Sequence, residues 1–329
     1  MDDASFWLTL GPCLALILAA EFVNGWTDAP NAIATVVSTR VLSPPLALLM
    51  ASVLNAIGAF SGTAVAATIS QGIIRPEAVD LQTVAAAMAA IVVWSTGAWY
   101  FGLPTSESHA LVSGLAGAGL AVAGPSVLLW EGWSKVLVGI FFSTFLGFGG
   151  GLTMMVSIYR FLSGKSPAPM RKVFSRLQIL SAALMAFGHG SNDGQKFIGV
   201  FTLALVLGGI LPEFGVPYWV ILICAIVMGM GTAVGGWRII KTMGLRMTKL
   251  DPVHGFAAET GAGLTILLAS HFGIPLSTTH TINTSIMGVG ATRRLSAVRW
   301  GVVGSIVTAW ILTFPVCGAI AYVVARLLS

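Results

Sequence analysis

Apolar stretches long enough to cross a bilayer recur along the whole chain, beginning with residues 6–23, 46–69 and 81–100. About twenty such residues in a helix span the ~30 Å hydrocarbon core of a membrane. Of the 329 residues, 56% are hydrophobic and only 9% are charged, against roughly 25% charged in an ordinary soluble domain. Too little polar surface exists to face water on all sides, so the solvent that dictates this fold is lipid. In lipid every backbone N–H and C=O must be satisfied within the protein, which makes helices the element for runs of this length. The expected class is an all-α polytopic membrane protein of a plasma or bacterial inner membrane, with the lipid bilayer as its surround.

The first residues, Met1-Asp2-Asp3, are acidic, and no small-residue cleavage pattern follows the first apolar run. No removable signal peptide is expected, and the first helix is expected to stay. Cys13, Cys224 and Cys317 are odd in number, far apart and set in apolar segments. They read as packing residues rather than as a disulfide framework or a zinc site. The net charge of +5 resides in loops between apolar spans, so it reports topology and does not call for a nucleic acid partner.

The chain repeats itself. Gly102-Leu103-Pro104-Thr105-Ser106-Glu107-Ser108-His109, followed by Gly117 and Gly119, recurs as Gly273-Ile274-Pro275-Leu276-Ser277-Thr278-Thr279-His280, followed by Gly288 and Gly290. Upstream, Gly25-Trp26-Thr27-Asp28 matches Gly190-Ser191-Asn192-Asp193 at nearly the same offset. The expected organisation is a first repeat over 1–159, a basic cytoplasmic linker over 160–176 and a second repeat over 177–329.

Basic residues mark the cytoplasmic side of a membrane protein. They cluster at 160–176, 238–249 and 293–299, and Arg40 joins them if the first span ends there. The loops assigned to the other side, around 71–80, 124–135 and 211–216 with the N-terminus, hold only Arg75 and Lys135 as bases but six acids. Each loop of the first half then faces opposite to its counterpart in the second, so the expected repeats are inverted in topology. Basic loops on both flanks of 255–291 require that segment to enter and return. Charge leaves full spans and a re-entrant hairpin both open. The tight Gly-x-Pro connections at 102–104 and 273–275, each followed by Ser, Thr and His, favour helical hairpins meeting at the membrane midplane.

Glu21, Asp28, Glu107, Asp193 and Glu259 fall within apolar runs, where a carboxylate costs roughly 2.5–3.5 kcal/mol at the bilayer centre. Asp28 and Asp193 occupy equivalent places, in the polar stretches 24–31 and 188–196, which carry glycine, proline and side-chain oxygens. These stretches read as breaks in two helices, tolerated only where they line a cavity. Freed carbonyls with Asp28, Asp193, Thr27, Asn31 and Asn192 make a set of hard oxygen ligands suited to Na⁺. A titrating Asp would serve a proton equally well, so Na⁺ and H⁺ both stand as coupling ions.

The hairpin tips supply the anion side. Pro104 and Pro275 fit the first turn of a helix, with Ser106, Ser108, Ser277, Thr278 and Thr279 close behind. Free N–H groups and the positive end of the helix dipole would then grip a tetrahedral oxyanion from both halves. His109 and His280 read as residues behind the ligand shell. Lys196 reads as a base that neutralises the anion or pairs with Asp193, with snorkelling to an interface as the alternative. Carboxylates accept but cannot donate, so a site with Asp28 and Asp193 beside the anion favours phosphate, which keeps a proton at neutral pH, over sulfate.

The two motifs Gly25-Trp26-Thr27-Asp28-Ala29-Pro30-Asn31 and Gly190-Ser191-Asn192-Asp193-Gly194-Gln195-Lys196 resemble the Gly-Ala-Asn-Asp-Val-Ala-Asn motifs of the inorganic phosphate transporter (Pit) family of sodium- or proton-coupled symporters. The stretches 104–109 and 275–280 resemble that family's Pro-Val-Ser-Thr-Thr-His motifs, and 255–259 is similar to the acidic segment before the second. The likeness covers nearly the whole chain. It implies that Asp28, Asp193, Ser106, Ser108, Ser277, Thr278 and Thr279 line phosphate and cation sites and that Glu259 matters for transport, within the cation set. Thr27 stands where the family usually has Asn, and Glu107 where it has Thr, which sets Glu107 behind the ligand shell as an extra acid at one tip.

The expected function is symport of inorganic phosphate with Na⁺ or H⁺, without cofactors. A homodimer is left open, and symport of another oxyanion such as sulfate is the alternative. An intramembrane enzyme such as a protease is a weaker class, since neither a Gly-x-Ser-Gly nor a His-Glu-x-x-His pattern is present and a protease has no need of its polar cluster twice. A passive channel ranks below symport, because a continuous pore needs no paired helix breaks.

Overall fold

The computed structural model describes residues 3–329, and the side chains of 9–166 and 168–329. Fourteen α-helices carry the described chain, in the order α1 (Asp3–Ser38), α2 (Pro44–Ala59), α3 (Ala64–Gly72), α4 (Leu81–Phe101), α5 (Glu107–Ala123), α6 (Trp130–Phe141) and α7 (Gly147–Leu162), then α8 (Pro167–His189), α9 (Gln195–Leu207), α10 (Tyr218–Val234), α11 (Trp237–Lys241), α12 (Pro252–His271), α13 (Thr278–Ala291) and α14 (Trp300–Leu328). Among the described residues, Thr9–Ser38, Leu81–Phe101, Trp130–Leu162 and Trp300–Leu328 are long and apolar enough to cross a membrane, and α2 with α3 and α10 with α11 form two more candidates bent by 69° and 59°. The segment 160–176 is mostly helical, since α7 runs to Leu162 and α8 starts at Pro167.

Helix faces are sorted as lipid demands. On α2 the large side chains Leu46, Leu49, Val53 and Ile57 are exposed, while Ala47, Ala51, Asn55 and Gly58 are buried. On α10, Leu222, Ile226, Met230 and Val234 face outward and Cys224, Met228, Gly231 and Thr232 face inward. Without a hydrophobic driving force between helices, association relies on small residues that let backbones approach. A Cβ on Gly25 would lie 2.3 Å from the Met228 carbonyl oxygen of α10, and one on Gly58 of α2 would lie 2.2 Å from that of Phe187 on α8. Each half therefore packs a motif-bearing helix against a bent pair of the other half.

The expected break at 24–31 is not there: α1 is helical throughout, with Pro12 and Pro30 inside it. The physical reason is that an unbonded N–H in an apolar surround costs several kcal/mol. Pro30 forfeits only the bond to Trp26, whose carbonyl oxygen faces the close approach of Gly236. Gly25 serves packing rather than unwinding. At 188–196 the interruption is milder than expected, a single π turn over Gly190–Gly194 inside an otherwise continuous α8–α9 rod. Such a turn adds one residue to a helix and re-aims the side chains on it.

The two hairpins are built alike. Gly102 (φ 69°) and Gly273 (φ 64°) take the left-handed conformation that ends α4 and reverses the chain after α12, which glycine adopts without a Cβ clash. Pro104 and Pro275 lie in the extended segments that follow, outside the helices, and Ser106 and Ser277 are the N-caps of α5 and α13. The expectation of proline in the first turn is corrected accordingly. Arg40, Arg171 and Lys249 line one cavity of about 520 Å³, so residues from three basic stretches of the sequence meet there.

Candidate functional site

Asp193 sits on the π turn, with Lys196 one turn later and His189 one turn earlier, a spacing that puts all three on one helix face. The Lys196 ammonium donates to Asp193 Oδ1, to Ser108 Oγ and, at 2.8 Å, to the Leu276 carbonyl oxygen. The side chain is 1% exposed, so it does not snorkel. Asp193 Oδ2 accepts from Thr278 Oγ1 at 2.7 Å. Asp28, from α1, faces Thr279 Oγ1 at 3.3 and 3.4 Å. Asn31 Nδ2 donates to both Thr278 and Thr279, at 3.2 and 3.0 Å. The two repeated aspartates thus converge on neighbouring hydroxyls in the first turn of α13.

His189, which the sequence reading left without a role, lies between the aspartates. Its environment decides which nitrogen carries the proton. Thr232 Oγ1 donates to the Met228 carbonyl at 2.9 Å, so it accepts from Asn55 Nδ2 at 2.9 Å. Asn55 Oδ1 is then left facing His189 Nδ1 at 3.2 Å, and only an N–H at Nδ1 satisfies it. Nε2 is thereby turned to Asp193 Oδ2 at 3.2 Å and Asp28 Oδ2 at 3.9 Å. One atom each from Asp28, His189 and Asp193 lie within 4.8 Å of one another, a grouping able to hold a proton or a cation. The His-x-x-x-Asp-x-x-Lys spacing was a signal in the sequence; Asn55 had none.

The tips close over this cluster. Ser106 Oγ accepts from the His109 N–H at 3.3 Å and Ser277 Oγ from the His280 N–H at 3.1 Å, which spends those two hydroxyls on capping. The preceding N–H groups in each first turn have no intrahelical partner, the feature that lets a helix N-terminus receive an anion. Ser108 Oγ donates to the Leu276 carbonyl at 2.8 Å, tying one tip to the other. Asn192 Nδ2 donates to Ser270 Oγ at 3.0 Å and to the Ile274 carbonyl at 3.2 Å. The Oδ1 atoms of both Asn31 and Asn192 are buried without a partner, as suits oxygens kept for a cation. His109 and His280 stand behind the tips edge to face, 4.5 Å apart, with His280 stacked on Trp310 at 3.7 Å.

Glu107 and Glu259 have other hydrogen-bond partners. Glu107 accepts from Thr27 Oγ1 at 2.9 Å and Ser95 Oγ at 2.7 Å, so the two residues that depart from the family pattern touch each other across α1 and α5. Glu259 does not join the aspartates. Thr35, Ser181 and Gln178 donate to it, and Thr35 is two turns beyond Asp28, roughly 10 Å along α1. Asp28, Asp193, Lys196, Ser108, Thr278 and Thr279 are each 4% exposed or less, so the site is closed on both sides.

The sequence model of the Phosphate transporter family matches residues 24–321, which takes in both aspartate motifs and both hairpin tips. The chain belongs to the phosphate transporter family. It is 44% identical over 98% of its length, and 97% of the relative's, to a probable low-affinity inorganic phosphate transporter of Rhizobium meliloti (strain 1021). It is 38% identical, over 94% of this chain and 95% of the other, to a protein of the same description from Bacillus subtilis (strain 168). A solved structure described as the sodium-dependent phosphate transporter superposes with a TM-score of 0.82 at 24% identity, covering 98% of this chain and 99% of that one; at that identity it speaks for the fold. This phosphate transporter family member is a multi-pass membrane protein of a transporter family, not of an enzyme family.

Proposed function

We propose that this family member is a secondary active symporter of inorganic phosphate, driven by a gradient of Na⁺ or H⁺ across the plasma membrane. Its two halves, 1–159 and 177–329 with 160–176 between them, are read as inverted repeats, and α4–α5 and α12–α13 as re-entrant hairpins whose tips hold the anion at the midplane. The single observation that carries the reading is the convergence of Asp28 and Asp193 on the hydroxyls of Thr278 and Thr279 in a compartment sealed from solvent. Carboxylates placed there repel an anion unless a cation enters with it. That requirement is the physical content of coupling.

In this reading the cation binds first, at Asp28, Asp193 and the open Oδ1 atoms of Asn31 and Asn192, with Thr27 behind them. Phosphate follows, held by the first-turn N–H groups of α5 and α13 and by Ser108, Thr278 and Thr279, with Ser106 and Ser277 holding the turns in shape. The proton that phosphate keeps gives a carboxylate something to accept, which sulfate cannot offer. The relatives' descriptions name the same anion. Release requires one bundle to rock about the occupied site.

The test is uptake of radiolabelled phosphate into proteoliposomes, with Na⁺ and proton gradients imposed separately and sulfate as competitor. Accumulation under one gradient, unaffected by sulfate and abolished in Asp28→Ala and Asp193→Ala chains that still insert, is the expected result. Full uptake by either variant, or blockage by sulfate, would overturn the reading.

A further inference from the structure

Among the described lysines and arginines, Lys196 is the one whose side chain is buried in the interior. Its three ammonium hydrogens are all used, on a carboxylate oxygen of Asp193, the hydroxyl of Ser108 and the backbone carbonyl of Leu276. These ligands come from three places: the π turn, the first turn of α5 and the segment leading into α13. One carboxylate, one hydroxyl and one carbonyl oxygen converging on a point are also the ligand types that a small hard cation takes in transporters.

The repeat supplies an internal comparison. Aligning Gly25 with Gly190 places Asn31 opposite Lys196. Asn31 reaches the other tip as Lys196 does, donating to Thr278 and Thr279, but it is neutral and its Oδ1 is open. Asp193 thus holds a positive charge of its own, bound tightly, while Asp28 meets Thr279 only at 3.3–3.4 Å and has no lysine.

We propose that the Lys196 ammonium replaces a metal cation at the Asp193 side of the site, so that a mobile cation serves the Asp28 side alone. The inference rests on the cation-coupled reading and refines its stoichiometry. A covalently held charge cannot leave with the substrate, so this half contributes affinity for the anion but no driving force. The other half carries the coupling.

The experiment counts ²²Na⁺ bound per purified chain in detergent, without phosphate, for the wild type and for Lys196→Asn and Lys196→Gln. Each variant is expected to bind one more Na⁺ than the wild type. In proteoliposomes, replacing K⁺ by Na⁺ is expected to raise phosphate uptake by the variants at least tenfold. Equal Na⁺ counts in wild type and folded variants overturn the proposal. So does loss of fold in both variants that Na⁺ does not rescue, since the lysine would then be a strut no ion can replace, whereas rescue of fold by Na⁺ supports it. Absent phosphate uptake by the wild type would sink the transport reading and leave the Na⁺ count standing as a separate result.

Discussion

Replacing Asp193 by Asn tests whether the buried Asp193–Lys196 pair is energetically one unit. Both side chains are 1% exposed, and among the described residues Asp193 is the only acid in ion-pair contact with Lys196. The amide keeps the shape and one acceptor oxygen but leaves the ammonium, which also donates to the Ser108 hydroxyl and the Leu276 carbonyl, without a counter-charge. Breaking a buried pair by removing one partner costs about 3–5 kcal/mol, because the survivor is an uncompensated charge. For a chain of this length that is a fall of roughly 4–7 °C in melting temperature on ordinary specific unfolding entropies. Asp193→Asn combined with Lys196→Gln removes both charges, and desolvation and attraction then vanish together. The double variant should therefore recover most of the loss, giving a coupling energy of about 3 kcal/mol or more. The assay is thermal unfolding in detergent without Na⁺, run on the four proteins of the cycle. A single variant melting within about 1 °C of the wild type, or strictly additive losses, would refute the claim that the pair is desolvated.

Gly190→Ala should cost roughly 1–3 kcal/mol, since its Cβ would lie 2.0 Å from the Asn55 carbonyl oxygen, whereas Gly97→Ala, with nothing within 4 Å, should be neutral or stabilising; equal melting of the two variants would deny the close contact between α2 and the π turn. Ser95→Ala strips Glu107 Oε2 of its donor and should destabilise by about 1–3 kcal/mol, the cost of a buried acceptor left unmet; unchanged thermal unfolding would place water or another donor there. At the start of α12, burial pushes the Asp251 carboxyl up, but bonds from His254 and the nearby Arg293 outweigh it and hold the group at about 2. A lowered value means stability present above pH 4 and lost as pH falls toward 2, worth under about 1 kcal/mol because the side chain is half exposed. The melting difference between wild type and Asp251→Asn should shrink over that window, and a difference independent of pH would contradict the assignment.

Much of the site was legible because it was written twice. The matched positions of Asp28 and Asp193 and of the two Ser-containing tips single out residues that apolar composition alone would hide, whereas the helix starts were expected at the prolines and the folded backbone puts the N-caps at Ser106 and Ser277 instead. His189 was not read from the sequence: its spacing to Asp193 and Lys196 was passed over, and its tautomer hangs on Asn55 and Thr232, which come from α2 and α10. The link between Thr27 and Glu107 spans eighty residues and has no local signature. Glu259 was placed in the cation set by the family resemblance, and its donors are Thr35, Ser181 and Gln178, with Thr35 two turns along α1 from Asp28.

By itself the sequence determined the solvent, the helical class, the end of the molecule that carries the basic loops, and the residue types of the site. Those depend on composition, period and charge, which act locally. Only the tertiary structure decided that 24–31 stays helical and that Lys196 turns inward onto Asp193 while Asn31 leaves an oxygen open. Glycine and proline signal a break in water, where solvent takes up the freed groups. At 24–31 the helix is kept, and Gly25 spends its small size on contact with α10; which helix it meets depends on the packing of the whole bundle.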